Sequence, residues 1–167
     1  ALAGYLQEAA GRSADGLGFG LAALIRRGAT WVLARQRVEL DQPIRLGEVL
    51  EVETWPAGLD RLAALRDFRL WRDGVEIGRA LTTWFAIDLA TRKPLRPAEL
   101  LPQALHAQPP HVLPLAAAPL PALEAAEVER RFQVRFADID VNEHVTNASY
   151  LAWALEAIDE PTWRTRR

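Results

Sequence analysis

The seven residues Asp138-Ile139-Asp140-Val141-Asn142-Glu143-His144 hold carboxylates, an amide and an imidazole. Asp138, Asp140, Asn142 and His144 alternate, so an extended chain would project them to one side. Ala148 to Ile158 then reads as a helix, with Thr146 or Asn147 as its N-cap. A helix start offers unpaired N–H groups and a partial positive charge. Such donors stabilise an oxyanion on a carbonyl under attack. Carboxylate, amide, imidazole and helix start within ten residues are the parts needed to hydrolyse an activated acyl group. The same residue types also cap helices and form turns, and a single histidine is often structural. On chemistry alone both readings stand.

Composition narrows the chemistry. Half of the 167 residues are hydrophobic and a quarter are charged, the balance of a globular chain able to bury a core. A net charge of -2 argues against a nucleic-acid partner. With no cysteine, this chain supplies no disulfide, thiolate metal site or cysteine nucleophile. His106, His111 and His144 are its only histidines and have no ligand spacing between them, so neither a metal nor a cofactor is expected. No apolar run is long enough to span a bilayer, and a cytoplasmic location is the default expectation. The chain has no methionine and opens inside a helical pattern, which reads as a piece of a longer protein.

Several elements must position these residues. Residues 1–14 read as a helix with Leu2, Tyr5, Leu6 and Ala9 at helical spacing, broken by Gly16, Gly18 and Gly20. A short helix over Leu21–Arg27 closes at Gly28. The period then becomes two. Strands are predicted over Trp31–Leu40, Glu48–Trp55 (ended by Pro56 and Gly58), Leu62–Arg72 and Val75–Asp88. Asp73-Gly74 marks a hairpin and Thr91–Pro94 a turn. Four strands on short turns imply an antiparallel sheet, and a helix must cover its apolar face: an α+β fold. Residues 102–122 hold six of the eleven prolines and read as an extended linker that packs along the surface. Val128–Ala137 reads as a strand with Phe132, Val134 and Phe136 on one face. In the helix after it, Tyr150, Trp153, Ala154 and Ala157 form the expected buried stripe. The two long helices align, Tyr5 with Trp153, Glu8 with Glu156 and Ala9 with Ala157, as in a duplicated fold.

Asp138 to Val145, followed by Asn147, Tyr150, Trp153 and Glu156, resembles the signature of acyl-acyl-carrier-protein (acyl-ACP) thioesterases. Tyr5 to Ala10 is similar to that family's first helix. Thr30 to Leu33, Glu53 to Pro56, and Ala80 to Asp88 with Thr91-Arg92 are similar to its first sheet. The resemblance implies a double hotdog, in which each helix is wrapped by an antiparallel sheet. Residues 1–101 would be the first hotdog, lacking its first strand, 102–125 the linker, and 126–167 the start of the second hotdog. Asp140, Asn142 and His144 match the family's catalytic positions, and Asp138 matches a recurring acid whose role is less defined. A further catalytic acid is expected beyond Arg167. Thr146 stands where plant members usually have asparagine, which puts the fine geometry of the site in doubt.

The implied activity is hydrolysis of fatty acyl-ACP thioesters. Water would be the nucleophile, oriented or deprotonated by His144 and the further acid. Asn142 would position the water or the carbonyl, Asp140 would fix Asn142 and His144, and N–H groups near 145–148 would hold the oxyanion. The partner is an acyl carrier protein with a phosphopantetheine-linked acyl chain; no membrane is expected, and a homodimer is allowed. Arg66, Arg69, Arg72, Arg79, Arg92, Lys93 and Arg96 are candidates for docking that acidic partner, and solvated strand edges explain them equally well. Tyr5, Trp31, Phe68, Trp84 and Phe85 are candidates for an acyl tunnel, though core packing explains each more simply. Two rivals remain. An acyl-CoA thioesterase of the 4-hydroxybenzoyl type also carries an Asp before a His-x-x-Asn-x-x-Tyr helix start. A non-catalytic acyl-binding hotdog acting as a sensor would not need the Asp140/Asn142/His144 set.

Overall fold

The computed structural model describes residues 2–106, 110–115, 122, 124–126, 128–140 and 143–158. They fall into two compact units, one of residues 6–116 and one of residues 117–167 with residues 1–5. The larger unit is an antiparallel sheet with helices. Its helices are α1 (Leu2–Gly16), from Leu6 onward, and α2 (Leu21–Ile25), and its strands β1 (Ala29–Leu40), β2 (Glu51–Asp60), β3 (Ala63–Arg72), β4 (Val75–Asp88) and β5 (Pro94–Leu95). The strand order is β1-β4-β3-β2, with β5 paired to β4.

Local chemistry explains the joints. Asp73 and Gly74 both have positive φ, 52° and 75°, the pair of left-handed residues that a tight hairpin needs. Asp88 closes the turn after β4: its Oδ1 accepts from the N–H groups of Ala90 (3.1 Å) and Thr91 (2.7 Å) and from Thr91 Oγ1 (2.8 Å). Strand β2 departs from expectation. It begins later, at Glu51, and runs through Pro56 and Gly58 to Asp60, with the register shifting between those two residues. It lies at the sheet edge, where a proline's missing N–H costs no ladder bond, and Gly58 takes φ 104° in the bulge.

The core sits between helices and sheet. Leu6, Ala10 and Ala14 are the buried line of α1, each four residues after the last. Tyr5, expected in that stripe and as a tunnel residue, is instead 59% exposed because it lies about a quarter-turn round from Leu6. Ala14, Phe19, Leu24, Ala29, Ala64 and Leu101 form one buried cluster, with Trp31 and Trp84 packed against it. Trp31 Nε1 donates to Phe19 O (3.0 Å), tying β1 to the α1–α2 connection. Phe68 is fully buried on β3, opposite Ala80 and Thr54.

Arg66 corrects the docking expectation. It is 5% exposed, and its Nη1 donates to Ser13 Oγ of α1 (3.0 Å) and to Thr54 Oγ1 (3.2 Å). Burial pulls its guanidinium down to about 10, still protonated at neutral pH. Alternation on β3 turns Arg66 toward the helix rather than toward solvent. Arg69, Arg72 and Arg79 are tied to acidic neighbours, Glu76, Glu48 and Glu76 respectively, whereas Arg92 and Lys93, in the turn after β4, and Arg96, just past β5, are exposed.

The next residue, Asp67, faces the opposite side of the sheet and is fully buried. Its Oδ2 accepts from Val112 N–H (3.1 Å) and lies 3.4 Å from His111 Nδ1. Leu113 is buried, and Arg37 donates to Pro114 O (3.2 Å). The proline-rich segment is therefore strapped to the sheet at residues 111–114. Burial raises the Asp67 carboxyl above its ordinary value, against the pull of Val112 N–H, His111 and Arg69. A folded value above the unfolded one favours folding fully below about pH 4, and that contribution is lost as pH rises through the folded value. Thermal melts of wild type and Asp67→Asn should accordingly show the wild type losing ground to the variant as pH rises above about 4. A wild-type advantage growing with pH would mean that His111 and Arg69 outweigh burial.

Candidate active site

In the smaller unit, residues 128–135 are irregular and Phe136–Asp138 is a single 3-10 turn, followed by α3 (Asn147–Glu156). The expected strand over Val128–Ala137 is not formed. A strand exists through a neighbour's ladder bonds, and among the described residues none pairs with this stretch. Phe132 instead stacks on Trp153 of α3, with centroids 5.5 Å apart and planes within 8°, while Phe136 is 98% exposed. The predicted stripe of α3 is likewise not a buried face: Trp153 and Ala157 are half-buried, and Tyr150 and Ala154 are exposed. Tyr150 meets the Trp153 ring edge-on at 5.6 Å.

The motif does not run extended. Ile139 and Val145 form an antiparallel bridge, Asp140 N–H donates to His144 O (2.8 Å), and Glu143 N–H donates to Asp140 O (3.0 Å). Glu143 takes φ 60°, reversing the chain. The reason lies in Asp140, whose Oδ1 accepts from His144 N–H at 3.4 Å, the short carboxylate closing a local turn. His144 is thus returned beside Asp140 by loop closure rather than by alternation. Its residue is exposed and Asp140 is half-buried. Asn142, with Val141, lies outside the described residues.

The helix start is well determined. Thr146, one of the two expected caps, accepts from Ser149 N–H through Oγ1 (3.1 Å) and donates to Ser149 Oγ (3.0 Å). Removing such a cap costs about 1 kcal/mol. Thr146→Ala should lower unfolding stability by about that much, while Thr146→Asn keeps it, because asparagine caps equally well; equilibrium denaturation distinguishes them.

Asp138 is 3% exposed, and sequence reasoning missed its partners. Its Oδ2 accepts from Arg135 N–H (2.8 Å) and Nε (3.1 Å), and its Oδ1 from Arg135 Nη2 (3.0 Å) and Ser149 Oγ (3.2 Å). These bonds, Arg135 first, hold the carboxyl at about 2. The available signal is the spacing of three between Arg135 and Asp138, which the strand pattern over Val128–Ala137 hides.

Residues 1–101 match the model of the acyl-ACP thioesterase N-terminal domain, and residues 122–167 that of the C-terminal domain. The chain belongs to the acyl-ACP thioesterase family. A chloroplastic oleoyl-acyl carrier protein thioesterase 2 of Arabidopsis thaliana is 31% identical over 179 aligned residues, covering 95% of this chain and 48% of the relative. A chloroplastic palmitoyl-acyl carrier protein thioesterase of Gossypium hirsutum is 28% identical, covering 96% of this chain and 42% of its own length. The chain thus spans about half, or less, of the curated relatives it matches. An acyl-ACP thioesterase structure from Bacteroides thetaiotaomicron superposes with a TM-score of 0.80 at 30% identity, covering 98% of this chain and 67% of that one. A 12:0-ACP thioesterase from Umbellularia californica superposes at 0.81 with 20% identity, covering 98% and 64%. The second likeness speaks for the fold alone. The acyl-ACP thioesterase architecture identifies the sheet and helices of the larger unit as a hotdog.

Proposed function

We propose that the intact protein hydrolyses fatty acyl thioesters carried on an acyl carrier protein, releasing the free acid. The observation that carries this is the closed Asp140–His144 loop, which ends on a capped helix start in a segment matching the thioesterase C-terminal domain. In this reading residues 1–101 are the first hotdog, 102–125 the linker, and 126–167 the opening of a second hotdog whose sheet supplies the further acid.

Water attacks the thioester carbonyl. His144 orients and deprotonates it together with the further acid, and exposure of His144 gives it access to solvent. Asn142 positions the water or the carbonyl. Asp140 holds His144 through the backbone bond described above. The oxyanion is met by N–H groups near 145–148 other than that of Thr146, which is bonded to Asp138 O, since a helix start leaves donors outside its own ladder. Collapse expels the phosphopantetheine thiol, and the proton taken from water goes to the departing sulfur. Exposed Arg92, Lys93 and Arg96 remain the candidates for meeting an acidic carrier protein.

Incubation of the intact protein with a fatty acyl-ACP, followed by quantitation of free fatty acid, tests the reading. Release that needs Asn142 and His144 supports it. Binding without release would favour an acyl-binding sensor.

A further inference from the structure

We propose that Asp138, with Arg135 and Ser149, is a positioning residue: its carboxylate clamps the Ile139–Val145 loop to the first turn of α3, so that Asp140, His144 and the helix start keep one geometry. The kinetic part of this proposal rests on the thioesterase reading; the clamp itself does not.

Three observations carry it. First, the carboxylate is fully used. Its two oxygens take four donors, three from Arg135 and one from Ser149, which is about the whole acceptor capacity of a carboxylate. Buried and saturated, it has neither an oxygen to offer a reacting water nor a path to one. Its low carboxyl value, about 2, also makes it a poor base.

Second, its partners lie on both sides of the loop. Arg135 precedes the 3-10 turn, and Ser149 belongs to the first turn of α3. The backbone of the same residue adds a link, since Asp138 O accepts from Thr146 N–H (2.8 Å). Between these anchors lie the Ile139–Val145 bridge and the Asp140–His144 backbone bond. Asp138 thus holds both ends of the loop that carries the candidate residues.

Third, the helix cap is wired to it. Thr146 Oγ1 donates to Ser149 Oγ, which donates to Asp138 Oδ1. The cap hydroxyl is oriented through a chain of donors that ends on an anion, where hydrogen bonds are strongest. The cap that fixes the helix start and the clamp that fixes the loop are one network.

The test uses the intact protein and the variants Asp138→Asn, Ser149→Ala and their combination. Amide hydrogen exchange is followed at residues 139–149, with kcat, KM, the pH–rate profile and Tm measured alongside. Asp138→Asn should speed exchange in this stretch by about 10–100-fold, the loss of a charge-assisted bond, with little change in the sheet. Its kcat should fall by about 10–100-fold through misplacement of the reacting groups, with KM and the pH–rate profile unmoved. Ser149→Ala, which removes one donor of four, should show the same pattern more weakly, and the double variant should lose less than the two single losses combined. Where Asp138→Asn does not fold, Ser149→Ala decides.

Unchanged exchange at 139–149 overturns the clamp. Disappearance of the acidic limb of the pH–rate profile, with a loss as large as for His144→Ala, would make Asp138 a base and overturn the positioning role. So would an activity loss that merely follows Tm and recovers on cooling. Should the wild type release no fatty acid, the thioesterase reading fails, and exchange alone decides on the clamp.

Discussion

His144→Ala in the intact protein is expected to lower kcat on a fatty acyl-ACP by about 10²–10⁴-fold, the usual worth of a positioned general acid or base. KM should stay within a few-fold, because the imidazole acts on water and not on the acyl chain or the carrier. The fold should tolerate the change. His144 is exposed, and alanine retains the backbone bonds to Asp140 described above. Surface substitutions away from special features usually move stability by within about 0.5 kcal/mol. Activity and Tm measured on one preparation therefore separate the two effects. A variant with near-normal turnover would remove His144 from the mechanism. A variant that loses activity only by unfolding would make His144 a structural residue of the loop.

Phe68→Ala should be the most damaging of these substitutions for the fold, costing about 3–5 kcal/mol. Phe68 is fully buried on β3, where Ala80 and Thr54 stand opposite, and small neighbours cannot expand into the space an aromatic ring leaves. A domain's whole stability is about 5–15 kcal/mol, so this loss would bring the larger unit close to unfolding at ordinary temperature. Denaturant titration followed by tryptophan emission measures it. A loss below about 1 kcal/mol would mean that the position is not tightly packed, contrary to its burial. The experiment also bears on the proposed tunnel: Phe68→Leu, which keeps most of the volume, should alter acyl-chain preference if the residue lines a substrate path and leave it unchanged if Phe68 is purely core.

The sheet was legible where local chemistry and pattern agreed. Asp73-Gly74 fixed a hairpin, and β4 spans Val75–Asp88 as its alternation predicts. Pro56 misled because a proline in a strand is a matter of position in the sheet, and edge or centre is invisible before the strand order is known. Arg66 misled for a related reason. A charged residue on a strand reads as solvent-facing, whereas β3 is covered by α1 on the Arg66 side; Asp67, which the sequence did not single out, is covered by residues 111–113 on the other. Both coverings are set by contacts distant in sequence. At the candidate site the residue types were legible and their geometry was not. Alternation argued for an extended face, but the Asp140 side chain and a left-handed Glu143 close a loop instead. The Val128–Ala137 pattern is that of a strand, yet pattern alone supplies no neighbour to pair with.

In the proposed function the carrier-protein thioester is the substrate. Initial rates of the intact protein on matched acyl-ACP and acyl-CoA, with the same fatty acyl group and ionic strength, test it most directly. The predicted result is release of free fatty acid with kcat/KM higher for acyl-ACP and a preference that weakens with added salt, as docking through Arg92, Lys93 and Arg96 requires. Equal or faster hydrolysis of acyl-CoA, or tight binding of both without turnover, would contradict it.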